Sequence, residues 1–325
     1  MPAALPPPPR HRGPSDPSDP SDPSPPRAAG PRRRLLRAGL AAAVLSAGAG
    51  PLRAAVRRGG GPDDGDAPFR LQAAPLVLLG EVHDNAALHR RRAEAVQRAL
   101  EAGWRPAVAM EVFDRERQAD IERARRERPG DADHLIAQAG GRGWDWPLLR
   151  PLIALVLAQG LPLLGANLSA GAARRVAREG AAAVFDADER AALGLDRAPP
   201  PGWQAAQQAE IEHGHCGLLP AAALPGMVRA QAARDAVMAQ VLLQALARPP
   251  AGAAPGAVLL LAGNGHVRRD LGVPVWLPPS VRAWSVGYVE APGNWPAEAF
   301  DARVEGTPAE RADPCEGLRQ PAPAR

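Results

Sequence analysis

Lysine is absent, and all 39 basic residues are arginine. That excludes chemistry resting on a Schiff-base amine or a P-loop lysine. Aromatic residues are scarce, and tyrosine occurs once, at Tyr288. Only two cysteines are present, Cys216 and Cys315. Neither belongs to a C-x-x-C pair, so zinc ribbons and covalently attached c-type haem have no support. The net charge of +4 is misleading, because residues 1–56 alone carry eight Arg and three Asp. The remainder is close to neutral and gives no compositional case for nucleic acid. No apolar run is long enough to span a bilayer as a mature helix.

Proline is abundant, and much of it lies in the first 31 residues, around a Ser-Asp-Pro repeat. Such a segment has too few apolar side chains to offset its ordering entropy, so disorder is expected there. Arg32-Arg33-Arg34-Leu35-Leu36 and the apolar stretch Ala38–Ala49 follow. A basic region, a short apolar region and small residues make an export signal over 1–56, similar to a twin-arginine signal. The mature chain is therefore expected in the periplasm or cell envelope. No cysteine follows the apolar region, so no lipid anchor is expected. Outside the cytoplasm Cys216 and Cys315 can oxidise, although the Pro-rich surroundings of Cys315 disfavour a bridge.

Residues 57–75 read as a linker, 76–290 as the folded domain and 291–325 as an irregular tail. Strands are expected at Leu76–Leu79, Pro106–Met110, Leu161–Gly165, Ala257–Ala262 and Val281–Val286. Each is a short apolar run, and helical patterns separate most of them. That alternation predicts an α/β domain with a mostly parallel sheet flanked by helices. Helices are expected over Ala86–Ala102, Arg115–Arg126, Asp131–Ala139, Leu148–Gln159, Ala170–Glu179 and Gly226–Ala247. In the first, Leu88, Ala95, Val96 and Leu100 share one face and the arginines the other. Residues 180–225 form an inserted helical lobe.

Four strands run into polar residues: Glu81 with His83, then Glu111, Asn167 and His266. In a parallel sheet such ends share one edge, where open α/β folds bind ligands. Glu81 and His83 leave the strand on the same side, because the side-chain period is two. The set Glu81, His83, Glu111 and His266 could hold a divalent metal whose bound water attacks a substrate. It could equally work as a metal-free Glu-His acid–base pair. Arg268 and Arg269 could clamp carboxylates such as haem propionates, or stay solvated. His213 and His215 alternate and are metal-ligand candidates in the lobe. Trp144 and Trp146 suit packing or the face of a planar ligand.

The motifs Leu-Gly-Glu-Val-His-Asp-Asn (79–85), Met-Glu-Val-Phe-Asp-Arg (110–115), Trp-Asp-Trp-Pro (144–147) and Ala-Asn-Leu-Ser (166–169) come in order. His-Cys-Gly-Leu-Leu-Pro (215–220), Ala-Gln-Ala-Ala-Arg-Asp-Ala-Val-Met-Ala (230–239) and Ala-Gly-Asn-Gly-His-Val-Arg-Arg-Asp-Leu-Gly-Val-Pro (262–274) follow. Together they resemble the ChaN-like haem-binding uptake proteins of the Tiki superfamily, over residues of about 70 to 290. The resemblance implies an exported α/β protein of haem or iron uptake, with haem at a homodimer interface and tyrosine on the iron. It also implies, from hydrolases of the wider superfamily, a use of Glu81, His83, Glu111 and His266. Leu149 and Leu271 stand where relatives often have tyrosine. The alternatives for iron are His83, His215 and His266, with Asn167, Arg268 and Arg269 as further contacts to haem or another planar or anionic ligand.

Overall fold

The computed structural model describes Leu71 and residues 74–293, 295–313 and 315–316. The leader expected at 1–56 and most of the linker lie outside the described residues. Six strands form one all-parallel sheet: β1 (Leu76–Leu79), β2 (Ala107–Asp114), β3 (Leu163–Asn167), β4 (Val258–Leu261), β5 (Ala283–Glu290) and β6 (Ala302–Gly306). Their order is β3-β2-β4-β1-β5-β6. The chain leaves β1 on one side for β2 and β3, then returns to insert β4 between β1 and β2. The ends of these three neighbours therefore meet at a topological switch point.

Helices cover both faces. α1 (Ala86–Glu101), α2 (Gln118–Glu127), α3 (Ala132–Ala139) and α4 (Trp146–Ala158) pack with Val77, Leu79, Val108, Met110, Leu259 and Leu261. α5 (Ala170–Glu179), α6 (Ala187–Leu193), α7 (Trp203–Gly214) and α8 (Leu224–Ala247) lie with Leu76, Leu78, Ala107, Ala109 and Leu260 on the other face. Alternate residues of one strand thus enter two cores, which is why β1 and β4 are apolar throughout. Truncating Leu78, fully buried, would cost about 2–5 kcal/mol in transfer and cavity terms. No described helix is long and apolar enough to cross a membrane.

Several boundaries differ from expectation. β2 continues through Glu111 to Asp114, with a register shift against β3 between Met110 and Asp114. The expected tail at 291–325 contains β6, parallel to β5. Its sequence, Ala-Arg-Val-Glu-Gly, buries only Val304, so it lacks the apolar run of the inner strands. Beyond β6, Cys315 is bonded to Cys216 across 99 residues of sequence. The bridge disfavoured on composition is therefore present, because the segment after β6 is tied down. Asn85 caps α1 by accepting from the Leu88 N–H, and its amide donates to Glu290 and the Thr307 carbonyl. Arg311 pairs with Asp84 and Glu290.

Candidate functional site

β1 ends at Leu79, and the chain turns through Gly80, Glu81 and His83 into α1. His83 Nδ1 lies 2.8 Å from Glu81 Oε1. Glu81 is buried, and its other oxygen pairs with Arg92, which is 1% exposed. Burial would raise the Glu81 carboxyl, but Arg92 and the hydrogen bond from His83 bring it down to about 2. Glu81 is therefore ionised and accepts only, so His83 must carry its proton on Nδ1. That bond raises the proton affinity of His83, against partial burial. Its ring is 58% exposed and stands edge-on to Trp144, 5.4 Å between centroids. No hydrogen bond reaches His83 Nε2 among the described residues.

Arg92 sits on the inner face of α1, contrary to the expected arginine-on-solvent arrangement. It also reaches the Gly80 carbonyl at 3.3 Å. One turn earlier, His89 is buried as well, 3.2 Å from the His83 carbonyl through Nε2. Burial, and then Arg92, keep His89 neutral by lowering its proton affinity. Its Nε2–H donates to that carbonyl, leaving Nδ1 to accept from Arg92 at 3.4 Å. Sequence spacing carried a signal for both: His89 and Arg92 fall on the Leu88, Ala95, Val96 stripe.

Glu111 enters from β2 and His266 from α9 (Asn264–Val267), the single turn after β4. His266 Nε2 is 3.2 Å from Glu111 Oε1, and its Nδ1 is 2.6 Å from Asp235 Oδ1. Asp235 is wholly buried on α8. Burial opposes charge on His266, but Glu111 and Asp235 push its proton affinity up to about 10. Glu111 is held below the usual carboxylate range, against its burial, chiefly by His266. Its Oε2 accepts from the Gly263 N–H at 2.7 Å. A Cβ at Gly263 would lie 3.0 Å from His83 Cε1, 3.1 Å from His83 Nε2 and 3.5 Å from Glu111 Oε2. Glycine therefore lets the backbone here approach both residues closely. At Gly80 a Cβ would run into Asn264 Oδ1 and Val267, so the close approach of the α9 side chains explains that glycine.

Glu81, His83, Glu111 and His266 thus gather at one end of the sheet, as expected. Other expected site residues are engaged elsewhere. Asn167 accepts from Arg234 at 2.6 Å. Arg268 is buried between Asp270 and Glu210, at 2.6 and 2.8 Å, so it cannot clamp a ligand carboxylate. Arg269 is half-exposed and pairs with Asp301 at 3.1 Å. His215 closes α7 by donating from Nδ1 to the Ile211 carbonyl at 2.8 Å. The divalent-metal reading gains no support: Glu81 is paired with a guanidinium, and both His266 nitrogens face carboxylates. No group of three or more candidate ligands able to hold a metal ion occurs among the described residues.

The family described as haem-binding uptake, Tiki superfamily, ChaN matches residues 69–277, and the chain belongs to that family. Among solved structures, a ChaN protein of Campylobacter jejuni described for cofacial haem binding is similar. It shares 21% identity over 73% of this chain and 89% of that one, with a TM-score of 0.53. The type III effector HopBA1 is more distant, at 15% identity over 73% and 91% of the chains and a TM-score of 0.40. RRSP, a MARTX toxin effector domain from Vibrio vulnificus, gives 14%, 67%, 34% and 0.35 in the same order. No curated protein matches the chain.

Proposed function

We propose that this protein is an exported haem-binding protein of haem or iron uptake, with His83 as the ligand to iron. One observation carries the reading: His83 is exposed, anchored through Nδ1 on Glu81 at 2.8 Å, and keeps Nε2 for a ligand. A carboxylate on the far nitrogen fixes the tautomer and increases the basicity of the ligating one, as in metal-binding histidines generally. Trp144 beside it offers an aromatic surface to a porphyrin. Tyrosine ligation does not fit this chain. Leu149 and Leu271 are buried apolar residues, and Tyr288 is 1% exposed within β5. Family membership supports haem as the cargo, and the Campylobacter protein is described for cofacial haem binding. The basic and apolar segment at 32–49 supports export, as does the Cys216–Cys315 bond, since disulfides persist in oxidising compartments.

Titration with haemin, followed in the Soret region, tests the reading. A new band that disappears in His83→Ala but survives in Arg268→Ala is expected. An unchanged spectrum with the wild type, or a band that His83→Ala leaves intact, would defeat it.

A second reading has its own observation: His83 Nε2 and Glu111 Oε2 converge on Gly263, 3.1 and 3.5 Å from where its Cβ would lie. An imidazole and an ionised carboxylate side by side are proton acceptors suited to metal-free general acid–base hydrolysis. An esterase and peptidase panel on wild type and Glu111→Gln tests this. Activity lost in the variant favours it, and inert wild-type protein removes it.

A further inference from the structure

We infer that Asp235 is the positioning residue of the site: with Glu111 it occupies both ring nitrogens of His266, making that histidine a clamp for Glu111 rather than a ligand. The inference rests on the site described above and extends it to α8. Asp235 is 0% exposed, among Ala232, Ala233, Ala236 and Ala239. Nothing about helix packing calls for an acid in that alanine-rich face. A buried carboxylate without a partner is strongly disfavoured. Its partners are few and specific: His266 Nδ1 at 2.6 Å and the Gln231 amide at 3.5 Å. Gln231, one turn before it, also lies 3.1 Å from His266 Nδ1.

The opposite side of the ring completes the constraint. His266 Nε2 faces Glu111 Oε1 at 3.2 Å, and Glu111 Oε2 is fixed by the Gly263 N–H. An ionised carboxylate can only accept. With Glu111 and Asp235 both ionised, against the burial that raises the proton affinity of Asp235, the imidazole between them donates from both nitrogens and has no lone pair for iron. The outcome is a chain of fixed contacts, Asp235 to His266 to Glu111 to Gly263, ending beside the exposed ring of His83. Arg234, adjacent to Asp235, simultaneously holds Asn167 and the Leu168 carbonyl. One helix thereby ties the ends of β3 and β4 together and leaves His83 as the ligating histidine.

The test uses the ligand-free full chain labelled with 15N-histidine. Long-range proton–nitrogen spectra report the protonation of each ring nitrogen, and His266→Gln identifies the His266 signals. In the wild type at neutral pH, both His266 nitrogens are expected to be protonated. Asp235→Asn should lose one of these protons, and Asp235→Glu should retain both. A singly protonated wild-type ring, or a doubly protonated ring in folded Asp235→Asn, would overturn the inference. If Asp235→Asn does not fold, Asp235→Glu decides, because loss of a ring proton there contradicts a role resting on charge. These spectra need no haem. Failed haem binding would leave this result standing, and failure here would leave ligation by His83 untouched.

Discussion

Replacing Arg92 with methionine removes the guanidinium beneath Glu81 while keeping an unbranched apolar side chain in the same space. In the wild type, the Glu81 carboxyl falls from an ordinary 4.5 to about 2. At 1.36 kcal/mol per pH unit, that difference is worth about 3 kcal/mol. The folded value is depressed, so this stability is fully present above pH 4.5 and is lost as pH falls toward 2. Without Arg92, burial is the largest influence on Glu81 and raises its proton affinity. The variant then carries a buried carboxylate that has lost its guanidinium and keeps only the His83 contact at neutral pH, and removing one partner of a buried pair costs about 3–5 kcal/mol. On acidification Glu81 protonates in the variant and that penalty disappears. Urea unfolding of both proteins at pH 7 and pH 4 measures the difference directly. Arg92→Met should be about 3–5 kcal/mol less stable at pH 7, with the gap at least halved, roughly, at pH 4. Equal gaps at both pH values would refute the electrostatic account and leave Arg92 with a packing role.

Three further outcomes are expected. Haem affinity should fall as pH drops through the raised proton affinity of His83, because iron and proton compete for Nε2; a pH-independent titration would contradict ligation there. Cys216→Ser should lower stability by about 4.7 kcal/mol, from the loop entropy of a link spanning 99 residues; the measurement is urea unfolding with and without reductant, and reductant should not affect the variant. Gly263→Ala should press a methyl against the His83 ring and weaken haem binding or hydrolysis at least tenfold, roughly 1.4 kcal/mol, with melting near wild type; unchanged binding and activity would show that the site does not depend on this close approach.

Much of the site was legible because β1 and β4 are covered on both faces. Their apolar runs stop abruptly at Gly80 and Ala262, so the first polar residues beyond them mark the crevice. Glu111 was legible for the same reason, although β2 itself continues past it. The supporting residues were not, because a charged residue in a helix is ordinarily assigned to solvent. Arg92 and Asp235 each occupy an inward position and are intelligible only beside Glu81 and His266, which lie 11 and 31 residues away in the chain. Arg268 misled for the converse reason: its partner Glu210 comes from α7, and no local spacing announces it. β6 has a single buried side chain, too weak a pattern to stand out. The Cys216–Cys315 bond depends on how the segment after β6 returns to α7, which neither cysteine's neighbours reveal.

The identity of the iron ligand is the most direct test of the account. Electron paramagnetic resonance of the ferric haem complex, recorded for wild type and His83→Ala, should show histidine ligation lost in the variant. A tyrosinate or thiolate signature, or histidine ligation that persists without His83, would contradict it.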